Sequence, residues 1–245
     1  MKNRQKIRKG LILVTFFLFP AVYYYLSPVL IIQAASEGKI GGSFIAFILL
    51  FISSLFLGRA YCGWICPAAG CMEAMFAARD KKVTKGNIVK WIIWFPWLAT
   101  ILYLLFIQVG FKEIDVLYKT QYGISVSNLP SFIVYLVILL SMIVLPGFVF
   151  GRRSFCHHIC WMAPFMIIGR KLRNKFQWPA LHLHSSSESC KGCTKCTKEC
   201  PMSLPVEEMV KTHSIENSEC ILCGNCVDVC KFGAIKYGFF DAKSS

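Results

Sequence analysis

Residues 190–230 read CKGCTKCTKECPMSLPVEEMVKTHSIENSECILCGNCVDVC. Two runs share one rhythm: Cys190-x2-Cys193-x2-Cys196-x3-Cys200 and Cys220-x2-Cys223-x2-Cys226-x3-Cys230. They hold eight of the 13 cysteines in a chain of 245 residues, a density that calls for disulfides, metal or cluster ligation. The choice among these depends on the compartment, and therefore on the rest of the chain.

Upstream the composition is that of a membrane protein: 56% hydrophobic, 16% charged, mean hydropathy +0.54. Four windows, 11–32, 40–57, 88–109 and 129–150, approach the roughly 20 apolar residues that a hydrocarbon core of about 30 Å takes. Apart from Lys90 near an end they contain no Asp, Glu, Lys, Arg or His, so no proton relay, ion pair or haem ligand is expected at membrane depth. The net charge of +14 is positioned, not spread. Seventeen Lys/Arg against two acids flank the windows on one side, 188–245 carries seven against eight, and the two remaining loops carry three against three. Basic loops stay inside, so the expected location is the cytoplasmic (inner) membrane, multi-pass, with both termini cytoplasmic. The excess is topological, and no nucleic-acid partner is expected. The N-terminal apolar stretch is about twice the length of a signal-peptide core and no A-x-A site follows it, so it reads as an anchor.

The expected fold is an all-α membrane domain of four transmembrane helices over 1–177, built as two duplicated hairpins, followed by a small α+β domain over 178–245. The duplication is explicit. Arg59-Ala60-Tyr61-Cys62-Gly63-Trp64-Ile65-Cys66 matches Arg153-Ser154-Phe155-Cys156-His157-His158-Ile159-Cys160 at a constant offset of 94. The apolar stretches that follow, 67–78 and 161–169, are too short to span and are expected to be interfacial or re-entrant. On a helix, Cys-x3-Cys sets both sulfurs on one face. Two such pairs could converge, so Cys62, Cys66, Cys156 and Cys160 form a candidate third site: an additional cluster, a metal site or a dithiol. The competing reading is four small residues packed at the bilayer surface. Cys71 has no counterpart and reads as core.

A cytoplasmic location argues against disulfides for the eight C-terminal cysteines. Zinc sites use Cys-x2-Cys pairs separated by longer spacers. The x2-x2-x3 rhythm is instead the one by which bacterial-type ferredoxins hold two [4Fe–4S] clusters, each run lending its fourth cysteine to the other cluster. Cluster 1 is expected on Cys190, Cys193, Cys196 and Cys230, and cluster 2 on Cys220, Cys223, Cys226 and Cys200. Pro201 follows the first run as usual, whereas Lys231 follows the second. A two-repeat ferredoxin fold should occupy about 180–240, with a helix or loop at 205–213 and a closing strand at 234–240, after a polar connector at 178–189.

The combination of four spans, two Cys-x3-Cys motifs and a two-cluster ferredoxin resembles the NapH-type membrane iron–sulfur proteins, the quinol dehydrogenase component of periplasmic nitrate reductase systems. Ferredoxin-type proteins of methylamine utilisation and the membrane part of nitrous-oxide-reductase regulators look similar. The resemblance rests on Gly58 to Pro67, Arg153 to Cys160 and the eight-cysteine segment. Where the family has proline after each pair, this chain has Pro67 but Trp161. The resemblance implies an electron-transfer component of an oxidoreductase, exchanging electrons between the quinone pool or a redox partner, such as another ferredoxin, and the cytoplasmic clusters. An electron-donating maturation factor for a metalloenzyme and a redox sensor are the alternatives. Cys-x3-Cys-Pro also resembles the copper site of Sco-type chaperones, which act on the opposite, oxidising side.

No catalytic acid, base or nucleophile is identified. His157 and His158, between two thiols, read either as ligands or as interfacial polar groups. His182 and His184 alternate as on a strand and are expected to be exposed. Arg59 and Arg153 are expected to bind membrane lipid phosphates or to offset anionic clusters. Tyr23, Tyr24, Tyr25, Trp91, Trp94 and Trp97 read as anchoring and packing aromatics.

Overall fold

The computed structural model describes residues 3–77, 79–83, 86–110, 112–212 and 215–240. His213 lies outside them. Asn3–Phe17 forms α1, which bends by 60° and continues as Phe19–Leu26. Pro20, lacking an amide hydrogen, stands at the start of the continuation. Pro28–Ser36 (α2), Lys39–Gly41 (β1), Gly42–Leu57 (α3), Ala60–Trp64 (α4) and Pro67–Ala74 (α5) complete the first half. The second half repeats the plan with Val89–Gln108 (α6), Glu113–Asp115 (β2), Leu129–Phe150 (α7), Ser154–His158 (α8) and Met162–Phe176 (α9).

Among the described residues, α6 and α7 are long and apolar enough to cross a membrane, and the bent α1 pair makes a third if it is one span. Two of the four expected spans, or three with the bent pair, thus have the length and composition of a crossing helix. The second window is cut short because Ile40 belongs to β1, where it pairs in parallel with Ile114. The remaining helix, α3, has 16 residues and rises roughly 24 Å, less than a hydrocarbon core of about 30 Å. In α7, the Asn128 side chain accepts from the Ser131 amide at 2.9 Å and opens the helix. A wider π turn over Leu139–Val144 precedes Pro146 and accommodates its ring.

The segment expected at the interface after the second cysteine pair is instead the start of α9, which packs along α3. Gly169 permits this approach, since a side-chain carbon there would collide with Ser54. Phe165 of α9 meets Phe47, Trp94 and Trp97 edge-on at centroid distances of 5.5, 5.2 and 6.0 Å. Those tryptophans pack inside. Likewise, the segment after the first pair forms α5, whose residues 67–72 are all buried.

Beyond α9 the chain forms Ala180–Ser185 (β3), Lys195–Lys198 (α10), Val206–Lys211 (α11), Asn225–Val229 (α12) and Ile235–Phe240 (β4). The expected connector thus contains a strand: β3 pairs antiparallel with β4 from Ala180↔Phe240 to Ser185↔Ile235. His182 is buried, not exposed: its strand packs against α3, and Arg173 of α9 stands 3.5 Å from its ring.

Acids of this unit reach back to cations of the apolar unit. Glu219 accepts from Arg59 at 2.9 Å and Lys90 at 2.6 Å. Glu216 accepts from Arg170 at 2.6 Å, and Asp228 from Arg4 at 2.6 Å. Arg59 is fully buried, so it does not serve as a lipid anchor, and Lys90 gives the third window an ion pair that its composition did not suggest. Removing one partner of a buried pair leaves an uncompensated charge, at a cost of about 3–5 kcal/mol. Glu219→Ala is therefore expected to lower the thermal midpoint of the purified protein in detergent well beyond Glu188→Ala, an exposed control; equal midpoints would contradict this role.

Candidate iron–sulfur sites

The eight cysteines of the two runs line two cavities. Cys190, Cys193, Cys196 and Cys230 line one cavity, and Cys200, Cys220, Cys223 and Cys226 line another. Each run thus contributes its fourth cysteine to the other's cavity. Short helices α10 and α12, entered through left-handed Thr194 and Gly224, carry Cys196 and Cys226. The first quartet faces outward, with Cys193 exposed, whereas Cys200, Cys223 and Cys226 are buried. Burial pushes the Cys223 thiol up to about 12 and raises Cys226 as well. Thiols in such surroundings ionise readily only when metal binds them.

Cys62, Cys66, Cys156 and Cys160 are all buried. Burial raises Cys66, Cys156 and Cys160, and neighbouring thiols of the quartet add to the rise in each. The duplicated motifs therefore meet. The local geometry differs from a single helical face: α4 and α8 end at Trp64 and His158, and the amides of Cys66 and Cys160 bond back to Tyr61 and Phe155 at 2.9 Å. The second cysteine of each pair thus sits beyond the helix end, at the start of the following segment. Met166 of α9 joins them, its sulfur 3.4 Å from the Cys62 thiol.

The surroundings of this quartet are cationic. Arg8, Arg59, Lys90 and Arg153 are each at most 1% exposed. Glu73 bridges Arg8 and Arg153 as Glu219 bridges Arg59 and Lys90. Four cations face two carboxylates, so neutral thiols would leave a surplus of two buried positive charges. Four thiolates on a dicationic metal core carry the two negative charges that balance it. Arg59 Nε and Nη2, Arg153 Nε, Ser154 Oγ and His157 Nε2 are also buried with no hydrogen-bond partner among the described residues. Each such orphan costs about 1–3 kcal/mol, and cluster sulfur is an acceptor for donors of this kind. The donor set and its surroundings therefore fit an anionic cluster. Among the described residues no three His, Cys, Asp or Glu side chains converge as ligands of a single ion would.

His157 is held at Nδ1 by Asn87 Oδ1, 2.7 Å away, and burial lowers it to about 4. His158 bonds Ser154 O and stacks on Phe150. Cys71 is buried apart from the quartet, as a core residue. Arg153, like Arg59, is buried away from lipid. Sequence reasoning missed Arg8, Lys90, Met166 and both bridging glutamates. A signal existed for one of these: Glu73 is one of two acids among the 17 basic residues of its side.

The quartets adjoin. Gly63, between Cys62 and Cys66, presses on the second ferredoxin run, where an added side-chain carbon would lie 3.3 Å from the Cys223 backbone and collide with Ile221 O. Trp64 donates to Leu222 O at 2.9 Å, Gln5 to Cys223 O at 3.0 Å, and Arg153 to Cys62 O at 2.8 Å.

Comparison with known proteins agrees with this geometry. A family model described as a 4Fe-4S binding domain matches residues 41–86 and again 132–179, once over each duplicated copy, and a 4Fe-4S dicluster domain matches 182–231. Over these segments the chain is similar to ferredoxin-type iron–sulfur proteins. The uncharacterized protein MJ0749 of Methanocaldococcus jannaschii is 27% identical over 89% of this chain and 80% of its own length. The putative electron transport protein YccM of Escherichia coli is 25% identical over 76% and 52%. The methylamine utilization ferredoxin-type protein MauN of Methylobacillus flagellatus is 26% identical over 74% and 62%. The methylamine-utilisation resemblance is thus met by name. No solved structure matches the chain.

Burial alone would raise the Glu73 carboxyl, but Arg153 and Arg8 outweigh it and hold it at about 2. A folded value below the unfolded one, about 4.3, means that the stabilisation is complete at neutral pH and is lost as pH falls from about 4 toward 2. Glu73→Gln should therefore be less stable than the parent chain at pH 7, with the difference narrowing below about pH 4 in denaturant titrations followed by tryptophan fluorescence. A pH-independent difference would refute the pairing.

Proposed function

We propose that the chain is a multi-pass protein of the cytoplasmic membrane, with both termini inside, that relays electrons between the quinone pool or a membrane redox partner and a cytoplasmic ferredoxin domain. In this reading 1–177 is the membrane domain and 178–245 the ferredoxin domain. Cys190, Cys193, Cys196 and Cys230 hold cluster 1; Cys220, Cys223, Cys226 and Cys200 hold cluster 2. Cys62, Cys66, Cys156 and Cys160 hold a third iron–sulfur cluster. When bound, the clusters supply one-electron exchange without bond making.

The observation that carries this reading is the seat of Gly63 against Cys223, which makes the duplicated motif and the ferredoxin one continuous body. The protein's own residues then have definite tasks. Trp64 and Gln5 fix the Cys223 loop by its carbonyls. Arg59 and Arg153 offer unpaired donors toward negative charge, while Glu219 and Glu73 keep those guanidiniums in place. Phe19, Tyr23, Tyr135 and Trp161 line an apolar cavity against Cys66 and Pro67, on the side from which a membrane-dissolved partner would approach.

The test is anaerobic purification of the full chain, with iron and sulfide counts and EPR spectra at each potential. Iron beyond the complement of two clusters is expected, lost in Cys62→Ser and Cys156→Ser while the ferredoxin signals persist. Equal iron in parent and variants would remove the third cluster. Gly63→Val should retain the iron but slow reduction of the ferredoxin signals by a water-soluble quinol at least about 10-fold, the equivalent of 1.4 kcal/mol in barrier. A reporter fused after Gly70 should read as cytoplasmic.

A further inference from the structure

Residues 188–245 are nearly neutral in sequence, with seven basic residues against eight acids, yet the fold separates the two signs. Glu216, Glu219 and Asp228 are turned toward the apolar unit, onto Arg170, Arg59 with Lys90, and Arg4. Lysines gather instead around the first quartet. Lys191 and Lys195 line the cavity of Cys190, Cys193, Cys196 and Cys230 and are exposed, and exposed Lys231 follows Cys230 directly. The one acid lining that cavity, Glu207, is paired with Lys211 at 2.6 Å. Glu188, Glu199 and Glu208 are exposed, but none of them lines it. Phe232, 50% exposed, supplies an apolar spot within the lysine rim. Of the two ferredoxin quartets this is the outward one, since Cys193 is exposed while three thiols of the other are buried.

From this arrangement we infer that the face formed by Lys191, Lys195, Lys231 and Phe232 docks a soluble, acidic electron-carrier protein, whose negative rim meets the lysines while Phe232 fills the centre. The inference deepens the relay reading and rests on the first quartet holding a cluster. Opposite charges steer the encounter and raise on-rates 10- to 1,000-fold, an effect that salt removes. A small contact of this type, below about 1,200 Å², suits a partner that must leave after each exchange. In that exchange one electron passes between carrier and chain, with no bond made or broken and no proton moved. Three of the acids that would repel such a carrier, Glu216, Glu219 and Asp228, are engaged in the ion pairs that fasten the domain.

The experiment uses the full holoprotein in nanodiscs of zwitterionic lipid, with an acidic flavodoxin as probe and basic cytochrome c as counter-probe. EPR is recorded before any probe is added. A parent chain without the signal of the first quartet would overturn the cluster reading by itself, separately from docking. With the signal present, flavodoxin affinity should fall at least about 10-fold in the Lys191→Glu, Lys195→Glu, Lys231→Glu triple variant at low salt, and by less in the matching Lys→Gln triple. The parent's advantage should disappear at high salt, and cytochrome c should bind the Glu triple better than the parent. Because salt dependence is measured on the parent as well, a poorly folded variant leaves the proposal testable. Flavodoxin binding that is insensitive to both salt and charge reversal would overturn it. So would unchanged flavodoxin binding together with lost affinity for phosphatidylglycerol vesicles, which would assign the lysines to lipid.

Discussion

Burying a cation without a counter-charge is costly enough that the fold must answer it, and here four are buried around a single knot of thiols. Glu73 and Glu219 are the answer that the polypeptide supplies. Glu219 comes from the ferredoxin and Glu73 from the first duplicated unit, yet each carboxylate ties a motif arginine to a second cation from another helix. The position of the ferredoxin follows from this constraint. It is not free to hang from its connector, because lifting it away would strip Arg59 and Lys90 of their partner. Stability and the geometry of electron exchange therefore rest on the same few ion pairs.

What those carboxylates leave uncompensated is as informative as what they satisfy. Two positive charges and several orphaned donors face the cysteines, and a buried polar site in a folded protein does not ordinarily tolerate such a surplus. Thiolates on a metal core relieve both deficits together. In the proposed reading the fold and the cofactor are coupled: a metal core held by these thiolates would neutralise the knot, and the knot closes the seam between the apolar unit and the ferredoxin.

Much of this organisation was legible in the sequence because it is local. The x2-x2-x3 rhythm, the offset of 94 and the basic loops are all visible within a few residues, and they led to the quartets and to the paired motifs. What stayed hidden is non-local. Nothing near Arg59 announces Glu219, 160 positions away, so an arginine beside an apolar run left lipid phosphates and anionic clusters both open as its partner. His182 sits in an alternating pattern that fixes a strand without saying what lies over each face. Two of the four windows do not stand as single long helices because hydropathy averages across a window, whereas Pro20 and the pairing of Ile40 with Ile114 interrupt the backbone at single points. The helical reading of Cys-x3-Cys failed for a similar reason, since both helices end two residues before the second cysteine.

The position occupied by Gly63 in the first motif is His157 in the second. A bare backbone receives the ferredoxin in one copy; in the other, an imidazole anchored to Asn87 fills the equivalent space. The partners Trp64 and His158 have diverged in the same way, one bonded to the ferredoxin and the other stacked on Phe150. A doubled unit with two identical seats would invite two ferredoxins, or one in two orientations. Divergence at these two pairs of residues leaves one seat for the one ferredoxin segment that the chain carries, so the doubled unit meets it in a single orientation.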